Sequence, residues 1–308
     1  MKIIIPGALG HIGSHLIREL PKNFPNLKFI LIDNFLTQRY CSLFNLDKKY
    51  RYQFIEEDVI KLDLSKIISK NDIVIQLAAI TDAAKSFERK DETEKNNFLS
   101  TKKIANICQK KGARLIHLSS TSVYGTQKNI VDENCSAEDL KPQSPYAECK
   151  LKEELYLKKL KKLKFITLRF GTIFGFSQGI RFHTAVNKFC WQATHSQPIT
   201  VWKTALNQKR PYLSLVDASR AISHIIKTNM FDREIYNVVS VNKTVKEVIQ
   251  EIQKYYKNLK IQYVSTKIMN QLSYEVSSLK FQNKKFTFRG DLNKEIKKTI
   301  ENINLLKS

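Results

Sequence analysis

The feature that most constrains the fold is a glycine-containing loop that joins an apolar strand to a helix at the start of the chain. Residues 2–6 have the pattern of a short buried strand, residues 7–13 carry glycine at every third position, and helical periodicity continues to residue 20. In this order the glycines permit a tight turn, a close backbone approach to a pyrophosphate, and close packing of helix and strand. The loop therefore predicts a dinucleotide site that uses N–H groups at the helix N-terminus. Its residues are Gly7, Gly10, His11, Ile12 and Gly13, and we assign the His11 imidazole no chemistry of its own.

Two carboxylates follow at the ends of the next predicted strands. A strand over residues 29–32 ends at Asp33, which can accept both ribose hydroxyls of NAD and would repel the extra phosphate of NADP. No arginine follows immediately, so we predict NAD. Asp58, just past a strand over residues 52–55, could accept the adenine amino group, although an acidic loop residue is more often merely solvated. The predicted cofactor site also includes the adjoining residues Asn34 and Val59.

Strands and helices alternate along the first half of the chain. A strand over residues 73–77 precedes the small residues Ala78 and Ala79, where bulk would collide with a cofactor lying across a sheet. A helix over residues 94–111 and a strand over residues 114–118 continue the pattern. Such alternation is typical of an α/β fold with a doubly wound parallel sheet, which binds ligands at the carboxyl ends of its strands.

A second group of residues indicates acid–base chemistry. Tyr146 and Lys150 lie four residues apart on a helix predicted to begin at Pro145 and to run to residue 163, with an apolar stripe of leucines. A phenol with a pKa of about 10 is a poor base at neutral pH, and a fixed ammonium group beside it favours the phenolate. In a chain rich in tyrosine and lysine, a chance surface pair is the alternative interpretation. Four hydroxyl groups at residues 119–122 favour the functional interpretation, because they follow a strand above the predicted dinucleotide.

Composition narrows the class of protein. The 308 residues suffice for one large or two modest domains, and five scattered cysteines indicate reduced thiols rather than a disulfide framework or a metal site. The apolar start leaves no room for a signal peptide, and no apolar run approaches membrane-spanning length, so we expect a cytoplasmic protein. The net charge of +23 permits nucleic-acid binding, but the lysines are spread along the whole chain without a nucleic-acid module. We therefore prefer attraction of a small anionic substrate.

The glycine loop, residues 119–125 and the Tyr146/Lys150 pair together resemble the extended short-chain dehydrogenase/reductase family. Within that family the chain is similar to the NAD-dependent nucleotide-sugar epimerases and dehydratases, over nearly its whole length, and the similarity weakens after about residue 240. The resemblance implies a Rossmann-like NAD-binding domain and a smaller C-terminal α/β substrate domain. The implied limits are residues 1–170 with 211–239 for the first domain, and residues 171–210 and 240–308 for the second.

The resemblance also implies roles for individual residues. Ser120, Tyr146 and Lys150 match the catalytic serine or threonine, the acid/base, and the lysine that binds the nicotinamide ribose. Asn97 matches an asparagine that helps to order the site. The other residues implied at the cofactor are Leu77, Ala78, Ala79 and Ser119.

On the substrate side, residues 168–175 match the segment that opens the substrate domain, in which Thr172 replaces the usual asparagine. Asn187 and Arg210 match residues at the phosphates of the sugar nucleotide, and the planar fork of arginine suits a diphosphate. The implied substrate site also includes Thr81, Ser120, Thr121 and Tyr146.

Three departures from the family pattern limit the activity. Dehydratases of the family carry an Asp-Glu pair where this chain has Thr121 and Ser122, and elimination of water needs an acid and a base, so we expect no dehydratase activity. Residues 203–207 replace the glycine-rich turn that usually precedes the arginine. A second phosphate-binding arginine has no clear match, and Leu272 stands near its place.

The resemblance therefore implies an NAD-dependent nucleotide-sugar epimerase that acts through a transient 4-keto sugar. A 4-dehydrogenase or keto-sugar reductase would use the same residues, and a noncatalytic dinucleotide sensor is an alternative of another class. Such sensors tend to lose the tyrosine or the lysine, whereas both are present here. The family also commonly forms homodimers, which predicts pairing through the helix over residues 94–111 and the helix that begins at Pro145.

Overall fold

The structure is a computed structural model that describes residues 1–81, 85–88, 90–127, 130–264 and 273–304. The helices in this part of the chain are α1 His11–Asn23, α2 Lys90–Lys111, α3 Pro145–Lys159, α4 Ala185–Thr194, α5 Leu215–Thr228, α6 Val245–Gln253, α7 Leu279–Gln282 and α8 Leu292–Asn304. The strands are β1 Lys2–Pro6, β2 Lys28–Asp33, β3 Arg51–Glu56, β4 Ile73–Gln76, β5 Arg114–Ser120, β6 Ile130–Val131, β7 Lys164–Phe170, β8 Thr172–Phe174, β9 Ile199–Trp202, β10 Lys209–Ser214, β11 Ile235–Val238, β12 Val241–Thr244, β13 Ile261–Val264 and β14 Glu275–Val276.

The central element is a parallel sheet whose strands follow the spatial order β11-β7-β5-β4-β1-β2-β3. The chain runs outward in one direction from β1 to β3 and then in the other direction from β4, so the strand order reverses between β1 and β4. Ligands of doubly wound sheets bind beyond the carboxyl ends of the strands at such a reversal. The predicted Rossmann-like fold class is confirmed.

Helices cover both faces of this sheet. Along β1, Ile3 and Ile5 pack in the layer that contains α1 and α5, whereas Ile4 packs in the layer that contains α2 and α3. This alternation follows from the two-residue period of a strand. Because both faces are buried, the strands are almost continuously apolar, and each fully buried aliphatic side chain contributes about 1.5–3 kcal/mol.

The α3 helix begins as predicted and ends earlier. Ser144 caps its N-terminus by accepting a hydrogen bond from the Ala147 N–H, and Pro145 occupies the first turn. The predicted continuation to residue 163 is wrong, because Leu160 leaves helical geometry and the chain turns into β7. The leucine stripe is not the buried face either, since the Leu155 side chain is 54% exposed. The buried face instead carries charged groups, which belong to Lys150, Glu153 and Glu154.

The smaller C-terminal region packs α4, α6 and α8 around a second core that includes Phe189, Val248 and Ile296. A three-stranded sheet of β12, β10 and β8 adjoins this region, while β11 joins the main sheet. The domain limits stay a prediction. None of the helices in the described ranges is long and apolar enough to cross a membrane.

Candidate active site

A cavity of about 760 Å³ extends along the carboxyl ends of the central strands toward the C-terminal region. The predicted cofactor residues in its wall are Gly7, Gly10, His11, Ile12, Gly13, Asp33, Asn34, Asp58, Val59, Leu77, Ala78, Ala79 and Ser119. The predicted catalytic and substrate residues in its wall are Thr81, Ser120, Thr121, Tyr146, Lys150, Thr172 and Arg210. The fold thus brings into one cavity residues that the sequence places in separate segments.

The glycine loop packs too closely against neighbouring backbone for side chains at two of its glycines. Gly7 has a φ of +78°, and a Cβ atom at this position would lie 2.6 Å from the Ala78 nitrogen. A Cβ atom on Gly13 would lie 2.5 Å from the carbonyl oxygens of Gly7 and Ala8. Gly10 caps α1 without a side-chain hydrogen bond, so the start of the helix presents backbone N–H groups. These features fit the diphosphate of a dinucleotide.

The His11 side chain links the glycine loop to a distant segment of the chain. Burial lowers the pKa of His11 to about 3, so its ring is neutral at physiological pH. Its Nε2 atom lies 2.9 Å from the Gly175 carbonyl oxygen, to which a neutral ring donates through an Nε2–H group. The imidazole therefore joins the glycine loop to the segment after β8, which agrees with assigning it no acid–base role.

Asp33 is held by backbone on both of its oxygens. Oδ2 accepts a 3.0 Å hydrogen bond from the Leu9 N–H, and Oδ1 accepts a 3.1 Å bond from the Phe35 N–H. Burial raises the pKa of Asp33, although these bonds and the nearby positive charge of Arg39 oppose the rise. Sequence reasoning missed Arg39, which lines the same cavity from a loop six residues farther along the chain.

Gln76 provides a second indication of a polar ligand. Its side chain is buried at the end of β4 in the cavity wall, and its Nε2 group donates to the Ala78 carbonyl oxygen. Its Oε1 atom has no hydrogen-bond partner in the described part of the chain. A buried acceptor without a donor is costly, so a ligand that brings a hydroxyl or amide N–H group would stabilise this position.

Two predicted asparagines lie behind the cavity wall and support it. Asn97 is fully buried, and its amide both accepts from the Ile80 N–H at 2.8 Å and donates to the Ile80 carbonyl at 2.9 Å. Asn187 is also fully buried and binds the Gly175 N–H and the Arg181 carbonyl oxygen. Each amide orders a loop that lines the cavity, and direct contact of either one with a ligand stays a prediction.

Ser120, Tyr146 and Lys150 all line this cavity. The Lys150 Nζ atom lies 5.9 Å from the centre of the Tyr146 ring. Burial raises the pKa of Tyr146, while the charges of Lys150 and Arg181 lower it and that of Glu153 raises it. The site therefore contains a phenol with an ammonium group beside it, and a serine hydroxyl from the neighbouring strand.

A layer of buried charged groups supports these residues from within. Glu154 accepts two hydrogen bonds from the Arg169 guanidinium, at 2.9 and 2.6 Å, and one of 2.6 Å from the Ser119 hydroxyl. Glu153 binds Lys150 and His117. Neither glutamate is recognisable as a site residue from the sequence, because its partners on β5 and β7 come close only when α3 packs on the sheet.

The end of the cavity near the C-terminal region contains several basic side chains that the sequence analysis did not assign. Arg181 donates to the hydroxyl of Thr81, and Lys188 also lines the wall. Arg210 lies in the wall on β10, and its contact with a phosphate stays a prediction. Leu272, near the expected place of a second arginine, lies outside the described residues.

Thr121 and Ser122 occupy the positions of the Asp-Glu pair of the dehydratases, and their hydroxyls form hydrogen bonds within the protein. The Thr121 hydroxyl donates to the Phe170 carbonyl oxygen at 3.3 Å and lies 3.2 Å from the Tyr274 hydroxyl. The Ser122 hydroxyl donates to Ser120 at 2.9 Å. The Thr121 hydroxyl is thus held by the Phe170 carbonyl and lies beside Tyr274, and the Ser122 hydroxyl orients the Ser120 hydroxyl.

Comparison with known proteins agrees with this geometry. The sequence model of the NAD dependent epimerase/dehydratase family matches residues 3–238. The trifunctional UDP-glucose 4,6-dehydratase/UDP-4-keto-6-deoxy-D-glucose 3,5-epimerase/UDP-4-keto-L-rhamnose-reductase of Arabidopsis thaliana is 28% identical over 316 residues, which cover 97% of this chain and 46% of the plant protein. The chain therefore spans about half the length of that relative. The uncharacterized UDP-glucose epimerase YtcB of Bacillus subtilis is 29% identical over 236 residues, 73% of this chain and 72% of that protein.

Among solved structures, the UDP-glucuronic acid 4-epimerase from Bacillus cereus, in complex with UDP-glucuronic acid and NAD, superposes with a TM-score of 0.85. It is 25% identical and covers 99% of this chain and 100% of its own.

Proposed function

Because the chain belongs to the NAD dependent epimerase/dehydratase family, we propose that it is an NAD-dependent enzyme that inverts C4 of a nucleotide sugar through a transient 4-keto sugar. The observation that carries the proposal is that Ser120, Tyr146 and Lys150 line one cavity together with the glycine loop and Asp33. The same cavity reaches basic side chains at its far end, which suit the diphosphate of a sugar nucleotide.

NAD, when bound, supplies the ring that accepts and returns a hydride. Tyr146, as its phenolate, takes the proton of the 4-hydroxyl while C4 becomes a carbonyl, and gives the proton back when the alcohol forms again. Lys150 stabilises the phenolate through its positive charge. Ser120 accepts from Ser122, which leaves its own O–H free to donate to the same sugar oxygen.

Dehydration is disfavoured by the contacts of Thr121 and Ser122. Removal of water across C5 and C6 needs one group that releases a proton and another that accepts one. The Thr121 hydroxyl is engaged with Phe170 and Tyr274, and within the described part of the chain neither hydroxyl has a carboxylate partner that would activate it. These contacts support epimerisation, or simple oxidation and reduction at C4, over elimination.

We propose a UDP-sugar as the substrate, supported by the UDP-glucuronic acid 4-epimerase that superposes on this chain. Arg181 lies beside Thr81 in the cavity wall, and its guanidinium suits a carboxylate. We therefore test a sugar that carries a carboxylate together with neutral hexoses. The test incubates purified protein with UDP-glucose, UDP-glucuronic acid, UDP-N-acetylglucosamine and dTDP-glucose, and separates the products by chromatography.

The expected product is the C4 epimer of the substrate. The two epimers should reach the same ratio whichever one is supplied, and reduced cofactor should not accumulate. Stoichiometric reduction of NAD would identify a dehydrogenase instead, and a 4-keto-6-deoxy product would identify a dehydratase. Binding of NAD without turnover of any sugar would favour the noncatalytic sensor. The Tyr146→Phe variant is the matched control, since it keeps the ring and removes the hydroxyl.

We further propose a homodimer formed through the outer faces of α2 and α3. Leu99 is 36% exposed and Leu155 is 54% exposed on these helices, and the Phe98 ring on α2 lies beneath Lys152 on α3, whose Nζ atom is 4.6 Å from the ring centre. Exposed leucines on two adjoining helices suit burial against a second copy. The location of the protein in the cytoplasm likewise stays a proposal.

A further inference from the structure

Glu153 is a fully buried carboxylate one helical turn after Lys150. Its Oε2 atom accepts a hydrogen bond of 2.9 Å from the Lys150 Nζ atom and lies 2.7 Å from the Nε2 atom of His117. Since an ionised carboxylate only accepts, His117 carries its proton on Nε2 and donates to the same oxygen. His117 is fully buried as well, and Lys150 is only 4% exposed.

The groups that surround this carboxylate come from several elements. From α3 itself, the Cys149 thiol lies 3.6 Å from the Glu153 Oε1 atom, and Tyr146 lies within range of its charge. From the sheet, β5 contributes His117, whose Nδ1 atom is 3.4 Å from the Thr167 hydroxyl on β7. At longer range the charges of Glu94 on α2 and of Arg181 before α4 act on Cys149 and Tyr146 respectively.

Glu153 raises the pKa of both Lys150 and Tyr146. Burial lowers the pKa of Lys150, but the charge of Glu153, the nearby Tyr146 and the hydrogen bond to Glu153 together more than reverse this, so the pKa of Lys150 is raised and the ammonium group stays charged. The same negative charge raises the pKa of Tyr146, whereas the positive charge of Lys150 lowers it. Although burial opposes it, the charges of Lys150 and His117 lower the pKa of Glu153, which is therefore ionised.

We propose that Glu153, held by His117, is a positioning residue of the catalytic pair, which fixes the ammonium group of Lys150 and sets the pH range in which Tyr146 acts. This inference rests on the proposed function, in which Tyr146 and Lys150 act on the sugar and the cofactor. It adds to that function a buried carboxylate that touches neither ligand and acts through Lys150.

The Glu153→Gln variant tests the inference, because it removes the charge and keeps the size of the side chain. With the negative charge gone, Tyr146 should ionise at lower pH, by about one pH unit. Lys150 should at the same time lose the partner that keeps it charged, so activity at high pH should fall. A side chain with a purely structural role would lower the whole pH–rate profile without moving its acidic limb.

The first readout needs no sugar. The absorbance of tyrosinate is followed against pH in the NAD-bound protein, and the same titration in a Tyr146→Phe background is subtracted to isolate Tyr146. The Glu148→Gln variant, which removes an exposed carboxylate from the same helix, is the matched control and should leave the midpoint unchanged. A folded Glu153→Gln protein whose Tyr146 midpoint stays in place or rises would overturn the inference.

The second readout is NAD affinity, measured by calorimetry, and it keeps the test decisive if Glu153→Gln does not fold. Glu153→Asp keeps the charge on a shorter side chain, so it should leave the Tyr146 midpoint near that of the wild type while it weakens NAD binding about fivefold through a misplaced Lys150. Wild-type NAD affinity in Glu153→Asp would overturn the inference. A shifted midpoint without turnover of any nucleotide sugar would instead retain the inference and reject the proposed function.

Discussion

The hydroxyl of Ser120 accepts hydrogen bonds from both donor groups of Ser122, at 2.9 Å from the hydroxyl and 3.2 Å from the backbone nitrogen. A serine oxygen has two acceptor sites and one proton, so these two bonds leave the proton of Ser120 to be donated into the cavity. Ser122 stands where the dehydratases of the family carry a glutamate, and here it orients the hydroxyl of its neighbour.

The first prediction follows from that arrangement. Ser122→Ala should lower kcat by about fivefold, the equivalent of one hydrogen bond worth ~1 kcal/mol, because the Ser120 hydroxyl is then free to turn. Ser120→Ala should cost more, since it removes the donor itself. The measurement is steady-state turnover of the sugar identified in the screen, and a Ser122→Thr variant, which keeps the hydroxyl, should recover most of the loss. Equal activity of Ser122→Ala and wild type would show that Ser120 needs no fixed orientation.

A second prediction concerns the phenol. Tyr146→Phe should lower turnover by about 100- to 10,000-fold while the fold and NAD binding stay nearly intact, because the two side chains differ only in the titratable oxygen. Turnover is compared with circular dichroism and with NAD retained after gel filtration. If Tyr146→Phe worked at close to the wild-type rate, Tyr146 would be an ordinary residue of the helix surface.

A third prediction concerns pH. Lys150 lowers the pKa of Tyr146 against the effect of burial, so Lys150→Ala should move formation of the phenolate to higher pH. Activity should therefore fall near neutral pH and return in part as the pH rises, whereas the Glu153→Gln profile should move toward lower pH. The two pH–rate profiles, recorded with saturating NAD, provide the comparison. A Lys150→Ala profile that is low at every pH would mean that the lysine acts only in binding.

A fourth prediction concerns cofactor choice. Asp33→Ala should narrow the preference for NAD over NADP by about 1–3 kcal/mol, because it removes the carboxylate that would bind the ribose hydroxyls of NAD. In the wild type, backbone N–H groups hold both oxygens of that carboxylate in place. Dissociation constants for both dinucleotides are measured in the variant, and Asp47→Ala, an exposed carboxylate outside the cavity wall, is the control. Tight NADP binding by the unmodified protein would contradict the assignment and would point to Arg39 as the partner of the extra phosphate.

A fifth prediction concerns assembly. Leu155→Lys should convert a dimer into a monomer, because it places a charge on the exposed face of α3 that we propose to be buried between two copies. Leu279→Lys, which alters a leucine that is 64% exposed on α7, should leave the mass unchanged. Light scattering at micromolar concentration distinguishes the two results, and a monomeric wild-type protein would reject the interface.

Much of the site follows from local sequence. The glycine loop, the strand before it and the helix after it are specified by neighbouring residues, because a positive φ and an apolar period are properties of a few adjacent positions. The start of α3 is local for the same reason, since Ser144 and Pro145 determine where the helix begins. The end of α3 was predicted wrongly, because leucines that resemble a helical stripe belong in part to the turn before β7.

The sequence by itself thus determined the α/β fold, the dinucleotide loop, Asp33 and the Tyr146/Lys150 pair, all of which depend on spacing within one or two elements. Only the tertiary structure decided which face of α3 is buried, and therefore that Glu153 meets His117 from β5 and Glu154 meets Arg169 from β7. It also placed Arg181 against Thr81, one hundred residues away in the chain. A buried charge needs a partner, and that partner is chosen by the packing of distant segments, which no local pattern specifies.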